Sequence, residues 1–358
     1  MGNNSGGHFR ILFVCTARSW GGNEKWSAMS MNSLAERGHD VFLLARKKNI
    51  WLGRLKGVKI HSMPLFLHLN PFTYMASLFL IRRYRINRII STKRAEYVVM
   101  GLLSRMLGTR HLIRLGIVRD IDSFYKEWIY GKLNDGIIVN ATKTRAVLQK
   151  SKAIGPFAVT LIYNGIPDPP GAAEISYEEG GLFRIVSVGA LHPRKGFDKL
   201  IKAIALLPQK EKERVELVLV GEGPALSDLK KLARELGLEH QVFFKGFLKN
   251  PEKELEQSHL FALITENEGI SNALLEAMVL GLPVLSTAAG GTGDFLVDGE
   301  NGFMVDASPD SVGRRLQDII NLPDLKSIGL QGRATVLDFF SLERMADDLE
   351  AIINGNPV

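Results

Sequence analysis

Cysteine is nearly absent from this sequence. The chain of 358 residues has a single cysteine, Cys15, which excludes an internal disulfide bond and a cysteine-rich zinc site. Cys15 lies in the apolar run ILFVCTA, so we expect its thiol to pack as a small hydrophobic group.

Long apolar runs are absent as well. No stretch reaches the roughly 18 apolar residues typical of a membrane-spanning helix. The N-terminal segment, MGNNSGGHFR, lacks the basic and then apolar pattern of a signal peptide. Together these absences favour a cytoplasmic protein. The length favours two domains, because single hydrophobic cores stop growing at about 250–300 residues.

Acidic residues are scarce in the first half. Residues 1–170 hold 26 Lys and Arg against 9 Asp and Glu, a net charge of +17, whereas residues 171–358 hold 19 against 29, a net charge of −10. A basic half of this size indicates an anionic partner, such as a phospholipid surface, a lipid phosphate or a nucleic acid. Charges that only solvate helices would give the same composition, and composition alone leaves both interpretations open.

One segment of the basic half joins apolar and cationic side chains. Residues 71–94 read PFTYMASLFLIRRYRINRIISTKR, with six Lys and Arg side chains. Such a helix can lie on an anionic membrane, with apolar side chains among the acyl chains and arginines on the headgroups. A core helix followed by a strand is the alternative, and we favour it for the apolar face. The arginines remain available to a membrane in both cases.

Two segments of the chain resemble each other. Residues 9–22 read FRILFVCTARSWGG and residues 183–196 read FRIVSVGALHPRKG. Each is an apolar strand and a loop that ends in glycine before a helical pattern, which is how a doubly wound α/β domain begins. Apolar strands alternate with amphipathic helices after both segments, as in parallel sheets covered on both faces. The sequence therefore predicts two Rossmann-like domains that face a central cleft, with a ligand at the carboxyl edges of their strands.

The predicted elements and domain limits are as follows. Strands are predicted at 10–15, 40–45, 88–91, 111–114, 136–139 and 159–163, and then at 184–188, 216–220, 241–245, 260–264 and 283–286. The predicted domains are a first domain at 1–168, a linker rich in proline, glycine and charge at 169–182, and a second domain at 183–338. A C-terminal helix is predicted at 339–358, and one arrangement is that this helix returns to the first domain.

The densest chemistry lies in residues 266–278, ENEGISNALLEAM. This stretch follows the apolar strand predicted at 260–264 and contains the start of a helix predicted at 271–280. Glu268 and Gly269 therefore fall in the strand-to-helix turn, at the carboxyl edge of the sheet. Polar residues at such a turn are placed to contact a ligand.

The turn has the composition of a phosphate and sugar site. Gly269 permits close approach of the backbone, and a helix N-terminus attracts phosphate through its N–H groups. The N–H groups concerned belong to Ile270, Ser271 and Asn272. A carboxylate repels phosphate, so Glu268 and Glu276 are expected to accept hydrogen bonds from sugar hydroxyls on either side of a diphosphate. Glutamates that only stabilise the helix N-terminus, by about 0.3–1 kcal/mol each, are the alternative.

Further glycine turns follow other strands of the second half. Arg194 and Lys195 precede Gly196 in HPRKG, where two cations could neutralise a diphosphate. For this motif alone, an ordinary surface turn is the simpler interpretation. The turns GEGP, which begins at Gly221, and AAGGTGD follow other predicted strands. Four such turns at one sheet edge favour a phosphate site.

Residues 183–310 resemble the donor-binding domain of the glycosyltransferase group 1 family, retaining enzymes with two Rossmann-like domains, the GT-B fold. The matching motifs are IVSVGALHPRKGFDKLIKAI, LVLVGEGP, VFFKGFL, ENEGISNALLEAMVLGLPVLST and GGTGDFLVDGENGFMV. Weaker matches in the first half are WGGNEKW, ERGHDVFLLA and LIYNGIPD. The motifs span nearly the whole chain in the order of the family, and that order makes the resemblance specific.

The resemblance implies a role for each matching residue. Glu268 would contact hydroxyls of the transferred sugar, and Glu276 would hold the ribose of the nucleotide. Arg194 and Lys195 would grip the diphosphate and stabilise its charge as the glycosidic bond breaks, which is why no metal or other cofactor is expected. The remaining matches are a first-domain loop that closes over the donor, at Gly21 and Gly22, and the wall of the base site, at Phe247 and Leu248.

The chain departs from the family at two places. Ala190 stands where many members have an arginine, so binding of the diphosphate would rest on Arg194 and Lys195 alone. Many members also have a first-domain histidine near the transferred sugar, in the region that Arg114 and Gly116 occupy here. A partner for the acceptor hydroxyl is therefore undetermined; the candidates are Arg114, Asp120 and Asp122.

The resemblance implies a retaining glycosyltransferase that acts at the inner face of a membrane as a peripheral protein. The donor would be a nucleotide diphosphate sugar, and the acceptor a membrane-associated glycolipid or an envelope polysaccharide precursor. The first domain would bind the acceptor and the anionic membrane surface, and no nucleic acid partner is expected because aromatic and basic residues do not alternate. The alternatives are a nucleotide-sugar epimerase, a phosphorylase of the same architecture, or a catalytically silent nucleotide-sugar or anion-binding module.

Overall fold

The computed structural model describes residues 7–17, 21–46, 51–63, 71–116, 124–151, 154, 159–169, 171, 180–266 and 268–356. The chain divides into two compact units. Unit 1 comprises Met1–Gly165 and Phe340–Val358, and unit 2 comprises Ile166–Phe339.

Unit 1 contains a parallel sheet of seven strands among its described residues, in the order β3-β2-β1-β4-β5-β6-β7. The strands are β1 (Arg10–Cys15), β2 (Asp40–Arg46), β3 (Lys59–Met63), β4 (Arg88–Ser91), β5 (Arg110–Leu115), β6 (Gly136–Val139) and β7 (Val159–Leu161). The helices are α1 (Gly22–Glu36), α2 (Pro71–Arg83), α3 (Arg94–Leu107), α4 (Phe124–Lys132), α5 (Thr142–Gln149) and α13 (Leu342–Asn354). The strand order reverses between β1 and β4, as in a doubly wound sheet.

The strands of unit 1 are apolar along their length because both faces of the sheet are covered. In β1, Phe13 and Cys15 pack into one core with Trp26 of α1. Leu12 and Val14 alternate with them and pack into the core on the other face. Cys15 is fully buried, as expected of a small hydrophobic group, and burial raises the pKa of its thiol to about 12.

The C-terminal helix α13 is part of unit 1 and packs against α1. Arg37, at the end of α1, pairs with Asp347 at 2.6 Å and with Glu350 at 3.0 Å. His39 lies 3.0 Å from the same glutamate. Leu349 and neighbouring apolar side chains of α13 complete the core on the α1 face.

Unit 2 repeats the plan of unit 1 with a parallel sheet of six strands, in the order β10-β9-β8-β11-β12-β13. The strands are β8 (Phe183–Val188), β9 (Val215–Val220), β10 (Val242–Gly246), β11 (Leu260–Leu263), β12 (Val284–Ser286) and β13 (Phe303–Met304). The helices are α6 (Phe197–Ala205), α7 (Gln209–Lys212), α8 (Leu226–Glu235), α9 (Glu252–Glu256), α10 (Asn272–Val279), α11 (Pro309–Ile320) and α12 (Leu325–Phe339). In this sheet β8 takes the place that β1 holds in unit 1.

The predicted α/β fold class is confirmed, and every predicted strand exists within one or two residues of its predicted limits. The strand predicted at 159–163 ends at Leu161. Two strands were not predicted. The first, β3, reads KIHSM and has polar residues because, among the described strands, it lies at the edge of the sheet and pairs with β2 alone. The second, β13, has two residues, too few for a periodic pattern.

The prediction that the apolar residues of 71–94 lie in the core is wrong for one of the two apolar sides of α2. α2 does bury Leu80 and Ile81. Phe72, Met75 and Phe79 are instead exposed to solvent by 80%, 60% and 66%. The error arises because α2 is apolar on both sides, so periodicity does not show which side is buried. In the described part of the chain, no helix is both long and apolar enough to cross a membrane.

Candidate functional site

The turns after the strands of unit 2 pack closely at the carboxyl edge of the sheet. Gly196 has φ +68°, and a Cβ atom there would lie 1.9 Å from the carbonyl oxygen of Ile264. Gly290 has φ +64°, and a Cβ atom there would lie 1.8 Å from the carbonyl oxygen of Glu268. These positions require glycine both for the backbone conformation and for the space. The glycines thus hold the turns after β8, β11 and β12 against one another.

Two cations meet one carboxylate at this edge. Lys195 Nζ pairs with Glu268 Oε2, and Arg194 Nη1 lies 3.3 Å from the same oxygen. The turn that carries both cations, Pro193–Lys195, is fixed by Thr265, whose hydroxyl donates to the carbonyl of Arg194 at 2.9 Å. The side chain of Lys195 is only 10% exposed and that of Glu268 is 16% exposed. An ordinary surface turn does not account for a buried lysine.

The helix predicted in this region begins at Asn272 and ends at Val279. Ser271 is its N-cap, in an extended conformation with φ −77° and ψ +119°, and its side chain does not cap the helix. The carbonyl of Gly269 accepts a hydrogen bond from the N–H of Gly291 at 3.0 Å, which joins this turn to the one after β12. Ile270 is buried, as are Ser271 and Asn272. The first turn of α10 therefore has a fixed place at the edge.

Glu276 lies on the second turn of α10 and is half-buried. Its neighbours Leu274, Leu275, Ala277 and Met278 are buried. α10 is therefore apolar on most sides, which makes the single carboxylate in this helix a polar exception.

The residues of the expected base site follow β10. The N–H of Gly221 donates to the carbonyl of Gly246 at 2.8 Å, so the ends of β9 and β10 lie side by side. Phe247 and Leu248 come next along the chain, the first exposed and the second half-buried. The candidate residues of unit 2 thus lie in turns at one sheet edge, except for Asn272 and Glu276, which belong to α10.

Unit 1 has a buried arginine at the carboxyl end of β5. The guanidinium of Arg114 donates to Oδ1 of Asn23 and, at 3.1 Å, to Oδ1 of Asn164. It also lies 4.3 Å above the ring of Trp26. Burial lowers the pKa of Arg114 to about 10. The other two candidates for the acceptor side, Asp120 and Asp122, lie outside the described residues.

A buried carboxylate near the ends of β1 and β4 was missed by the sequence analysis. Glu96 accepts hydrogen bonds from the N–H and hydroxyl of Thr16, at 2.6 and 2.8 Å. It also accepts from the N–H groups of Thr92 and Lys93, both at 2.9 Å. Burial raises the pKa of Glu96 to about 7 despite these four donors. The usual helix-start pattern has Ser or Thr three residues before the glutamate, whereas this chain has Lys93 there.

Gly21 and Gly22 lie at the start of α1. Gly21 is the N-cap, in an extended conformation, and a Cβ atom there would lie 3.0 Å from Glu24 Oε2. Glu24 also pairs with Lys93 Nζ at 2.8 Å. Within the described ranges, no three His, Cys, Asp or Glu side chains are grouped so that they could hold a metal ion.

Comparison with known proteins identifies the part of the chain that contains the turns of unit 2. The sequence profile of the family described as "Glycosyl transferases group 1" matches residues 174–330. The lipopolysaccharide core biosynthesis glycosyltransferase LpsE of Rhizobium meliloti is 26% identical over 347 residues, covering 94% of this chain and 97% of that protein. The GDP-mannose-dependent alpha-(1-6)-phosphatidylinositol monomannoside mannosyltransferase of Mycolicibacterium smegmatis is 30% identical over 205 residues, covering 53% of each.

A solved structure has the same fold over nearly the whole chain. It is Anabaena Alr3699/HepE in complex with UDP and glucose, with a TM-score of 0.82 and 18% sequence identity, covering 97% of this chain and 100% of that one. At this identity the likeness shows the fold, which is that of the GT-B glycosyltransferases.

Proposed function

From the match of residues 174–330 to the family described as "Glycosyl transferases group 1", we propose that the chain is a retaining glycosyltransferase with a nucleotide diphosphate sugar as donor. The proposed acceptor is a membrane-associated glycolipid or an envelope polysaccharide precursor. The observation that carries the donor part of this proposal is the contact of Lys195 and Arg194 with Glu268.

The cation pair suits a diphosphate leaving group. Two cations and one carboxylate leave a net positive charge, to which the N-terminal end of the α10 dipole adds. As the glycosidic bond breaks, negative charge grows on the diphosphate oxygen that leaves. Arg194 and Lys195 would stabilise that charge from fixed positions, a term that is often the largest in catalysis. On this basis we expect transfer that does not depend on a metal ion.

The order of the strands matches the order of groups in the donor. Neighbouring strands lie about 4.8 Å apart. From β10 to β11 the edge carries first Phe247 and Leu248, then the Gly221 turn, then Arg194 and Lys195, and then Glu268. A nucleotide diphosphate sugar laid along this edge would place its base on the first pair, its diphosphate on the cations and its sugar at Glu268.

The resemblance to the family, rather than the strand order, assigns the contacts of the sugar and of the ribose. Glu268 would accept hydrogen bonds from hydroxyls of the transferred sugar, and Glu276 from the ribose. The phosphates would also meet the N-terminus of α10, where Gly269 lets the backbone come close and the N–H groups belong to Ile270, Ser271 and Asn272. In unit 1, Gly21 and Gly22 would belong to the loop that closes over the donor.

The relatives support the proposed substrates by their names. HepE was crystallised with UDP and glucose. The mannosyltransferase of Mycolicibacterium smegmatis uses GDP-mannose and acts on a phosphatidylinositol mannoside. LpsE acts in lipopolysaccharide core biosynthesis. The first two names support a nucleotide-linked donor, with different bases, and the last two support a glycolipid class of acceptor.

The first test is a thermal-shift titration with UDP, GDP and ADP, each with and without magnesium. A ligand at 100 times its dissociation constant stabilises the folded state by about 2.7 kcal/mol, which is readily detected. We expect one nucleotide to give a shift that magnesium does not change. Absence of a shift with every nucleotide would contradict the donor site, and a shift that requires magnesium would contradict the metal-independent form of the proposal.

The second test determines the stereochemistry. The protein is incubated with the sugar nucleotide of the base selected above and with membrane lipid extract, and the product anomer is assigned by NMR. A glycoside with the anomeric configuration of the donor is expected. The opposite anomer would contradict a retaining reaction, and release of free sugar epimer without any acceptor would favour an epimerase.

A further inference from the structure

The solvent side of α2 carries a row of large apolar side chains. Phe72, Met75 and Phe79 are 80%, 60% and 66% exposed. They are spaced three and four residues apart, so they lie on one face of the helix. A single exposed apolar residue is ordinary, whereas a contiguous set indicates an interaction surface.

The neighbouring helix α3 extends this apolar surface. Leu102 and Met106 of α3 are 39% and 53% exposed. The hydroxyl of Tyr74 on α2 donates to Sδ of Met106 at 3.7 Å, which joins the two helices at this point. We call the five residues Phe72, Met75, Phe79, Leu102 and Met106 the α2–α3 patch.

Cations lie beside the patch, on the same side of α2. At 3.6 residues per turn, Arg82 and Arg83 fall within about 100° of the direction of Phe72, Met75 and Phe79. Both arginines are exposed, as is Arg85. Between Asp40 and Glu96 the sequence has 12 Lys and Arg and no Asp or Glu. The patch is therefore bordered by positive charge that no acidic residue of the segment offsets.

The charge decides which occupant fits the patch. A second copy of the chain would bring an identical surface, and a two-fold interface would set the arginines of both copies close together without an acidic partner from this segment. An anionic lipid surface offers acyl chains to the apolar residues and phosphates to the arginines at adjacent depths, which is the arrangement of an interfacial helix.

We propose that the α2–α3 patch, with Arg82, Arg83 and Arg85, is the surface by which unit 1 binds an anionic lipid bilayer. This inference rests on the proposed function, because it assigns the residues that bring the enzyme to a membrane-associated acceptor. The side chains of Phe72, Met75 and Phe79 enter the boundary of the acyl chains, and the arginines bind lipid phosphates.

Co-sedimentation with vesicles tests the proposal on the full chain. The vesicles are made of phosphatidylcholine with or without phosphatidylglycerol. The wild type should bind only the anionic vesicles and release them as salt rises, because screening shortens the reach of surface charge to about 8 Å at physiological ionic strength. Absence of binding to anionic vesicles at low salt would overturn the proposal.

Two triple variants separate the apolar and the electrostatic contributions. F72S/M75S/F79S should bind at least about tenfold more weakly, since each of its three substitutions removes apolar surface that would be buried in the bilayer. R82E/R83E/R85E changes three exposed side chains and should bind at least about 100-fold more weakly, at roughly fivefold for each arginine lost from an anionic surface. Binding of either variant at the wild-type level would overturn the proposal.

Matched substitutions in unit 2 are the controls. L206S/L236S/L330S changes three leucines that are also exposed, and K230E/K231E/R234E reverses three exposed cations of α8. Both controls should bind anionic vesicles within about twofold of the wild type. Loss of binding in the controls equal to that in the α2 variants would mean that binding is not localised to the patch, which would overturn the proposal.

Two further readouts identify the depth of the contact and keep the proposals distinct. A Phe79→Trp variant should show fluorescence quenching by brominated lipids, and absence of quenching would contradict insertion.

The nucleotide thermal shift should persist in all variants. Loss of vesicle binding with an intact shift supports the surface, whereas absence of the shift in the wild type defeats the proposed donor site without affecting the vesicle result. A wild-type dimer that F72S/M75S/F79S dissociates, together with no vesicle binding, would assign the patch to self-association.

Discussion

The carboxyl edges of the two sheets have the same strand order around β1 and β8 but different chemistry. In unit 2, glycine turns bring backbone and two cations to the edge, beside one carboxylate. In unit 1, the edge holds a buried arginine and a buried carboxylate, each with several hydrogen bonds of its own. Topology thus fixes where a ligand can bind, and the turns determine what kind of ligand it is.

The two edges differ in the partners of their charged side chains. Arg114 and Glu96 of unit 1 are almost entirely removed from water and contact amide oxygens or N–H donors. Lys195 and Arg194 share a single carboxylate oxygen in unit 2. A phosphate can add contacts to the cations of unit 2, whereas the charged groups of unit 1 already serve to hold loops together.

The largest expected effect is that of Lys195→Ala. If the cation pair stabilises the leaving diphosphate, transfer should fall by about 10²–10³-fold, the range seen when one fixed donor to a developing negative charge is removed. Transfer is measured with the sugar nucleotide selected by thermal shift. Lys202→Ala is the matched control, since Lys202 lies on α6 and pairs with Asp198 at its surface. Wild-type turnover of Lys195→Ala would contradict the assignment of the site.

Glu96→Gln tests the buried carboxylate of unit 1. The folded state holds the Glu96 proton more tightly than the unfolded state, because burial raises its pKa to about 7 from an ordinary value near 4.5. The free energy of unfolding of the wild type should therefore fall, relative to that of the variant, by about 3 kcal/mol as pH rises from about 4.5 to 7, and stay level above.

The measurement can be confined to unit 1. All four tryptophans of the chain lie before residue 165, so denaturant unfolding followed by their fluorescence reports on unit 1 alone. The buried His111, whose pKa burial lowers to about 4, is present in both proteins, and its contribution cancels in the difference. Parallel curves for wild type and variant across this pH range would show that Glu96 is ionised throughout.

The clustering of the candidate residues of unit 2 could be predicted because its signals are local in sequence. Arg194 and Lys195 directly precede Gly196, and Glu268 precedes a glycine and a helix start. Each motif also follows an apolar strand, so a parallel sheet brings them to one edge. Their packing distances, and the burial of Lys195, depend on tertiary contacts that no spacing encodes.

The unit 1 cluster could not be predicted because its partners are far apart in the chain. Glu96 is 80 residues from Thr16, and Arg114 is 91 residues from Asn23 and 50 from Asn164. The exposed face of α2 was missed for another reason. Its apolar residues occupy both sides of the helix, and only the packing of Leu80 and Ile81 shows which side is buried.

A smaller effect tests whether the cations of unit 2 can bind an additional anion. Glu268 pairs with both cations and would compete with a diphosphate for them. Glu268→Gln should therefore let a nucleoside diphosphate bind about tenfold more tightly, equivalent to about 1.4 kcal/mol. Under the proposed function, transfer should fall at the same time, because Glu268 would accept hydrogen bonds from the sugar hydroxyls. Binding is measured by calorimetry with UDP, GDP or ADP, as the thermal shift selects.

Glu266→Gln is the matched control, since Glu266 is exposed and pairs with Lys199 instead. Its binding of the nucleoside diphosphate should change by less than about twofold, the effect of an exposed pair. Tighter binding in Glu268→Gln alone would show that the carboxylate and the diphosphate compete for Lys195 and Arg194. Equal or weaker binding in Glu268→Gln would mean that the carboxylate orients the cations for phosphate, which would give unit 2 the kind of self-contained polar network that Arg114 and Glu96 form in unit 1.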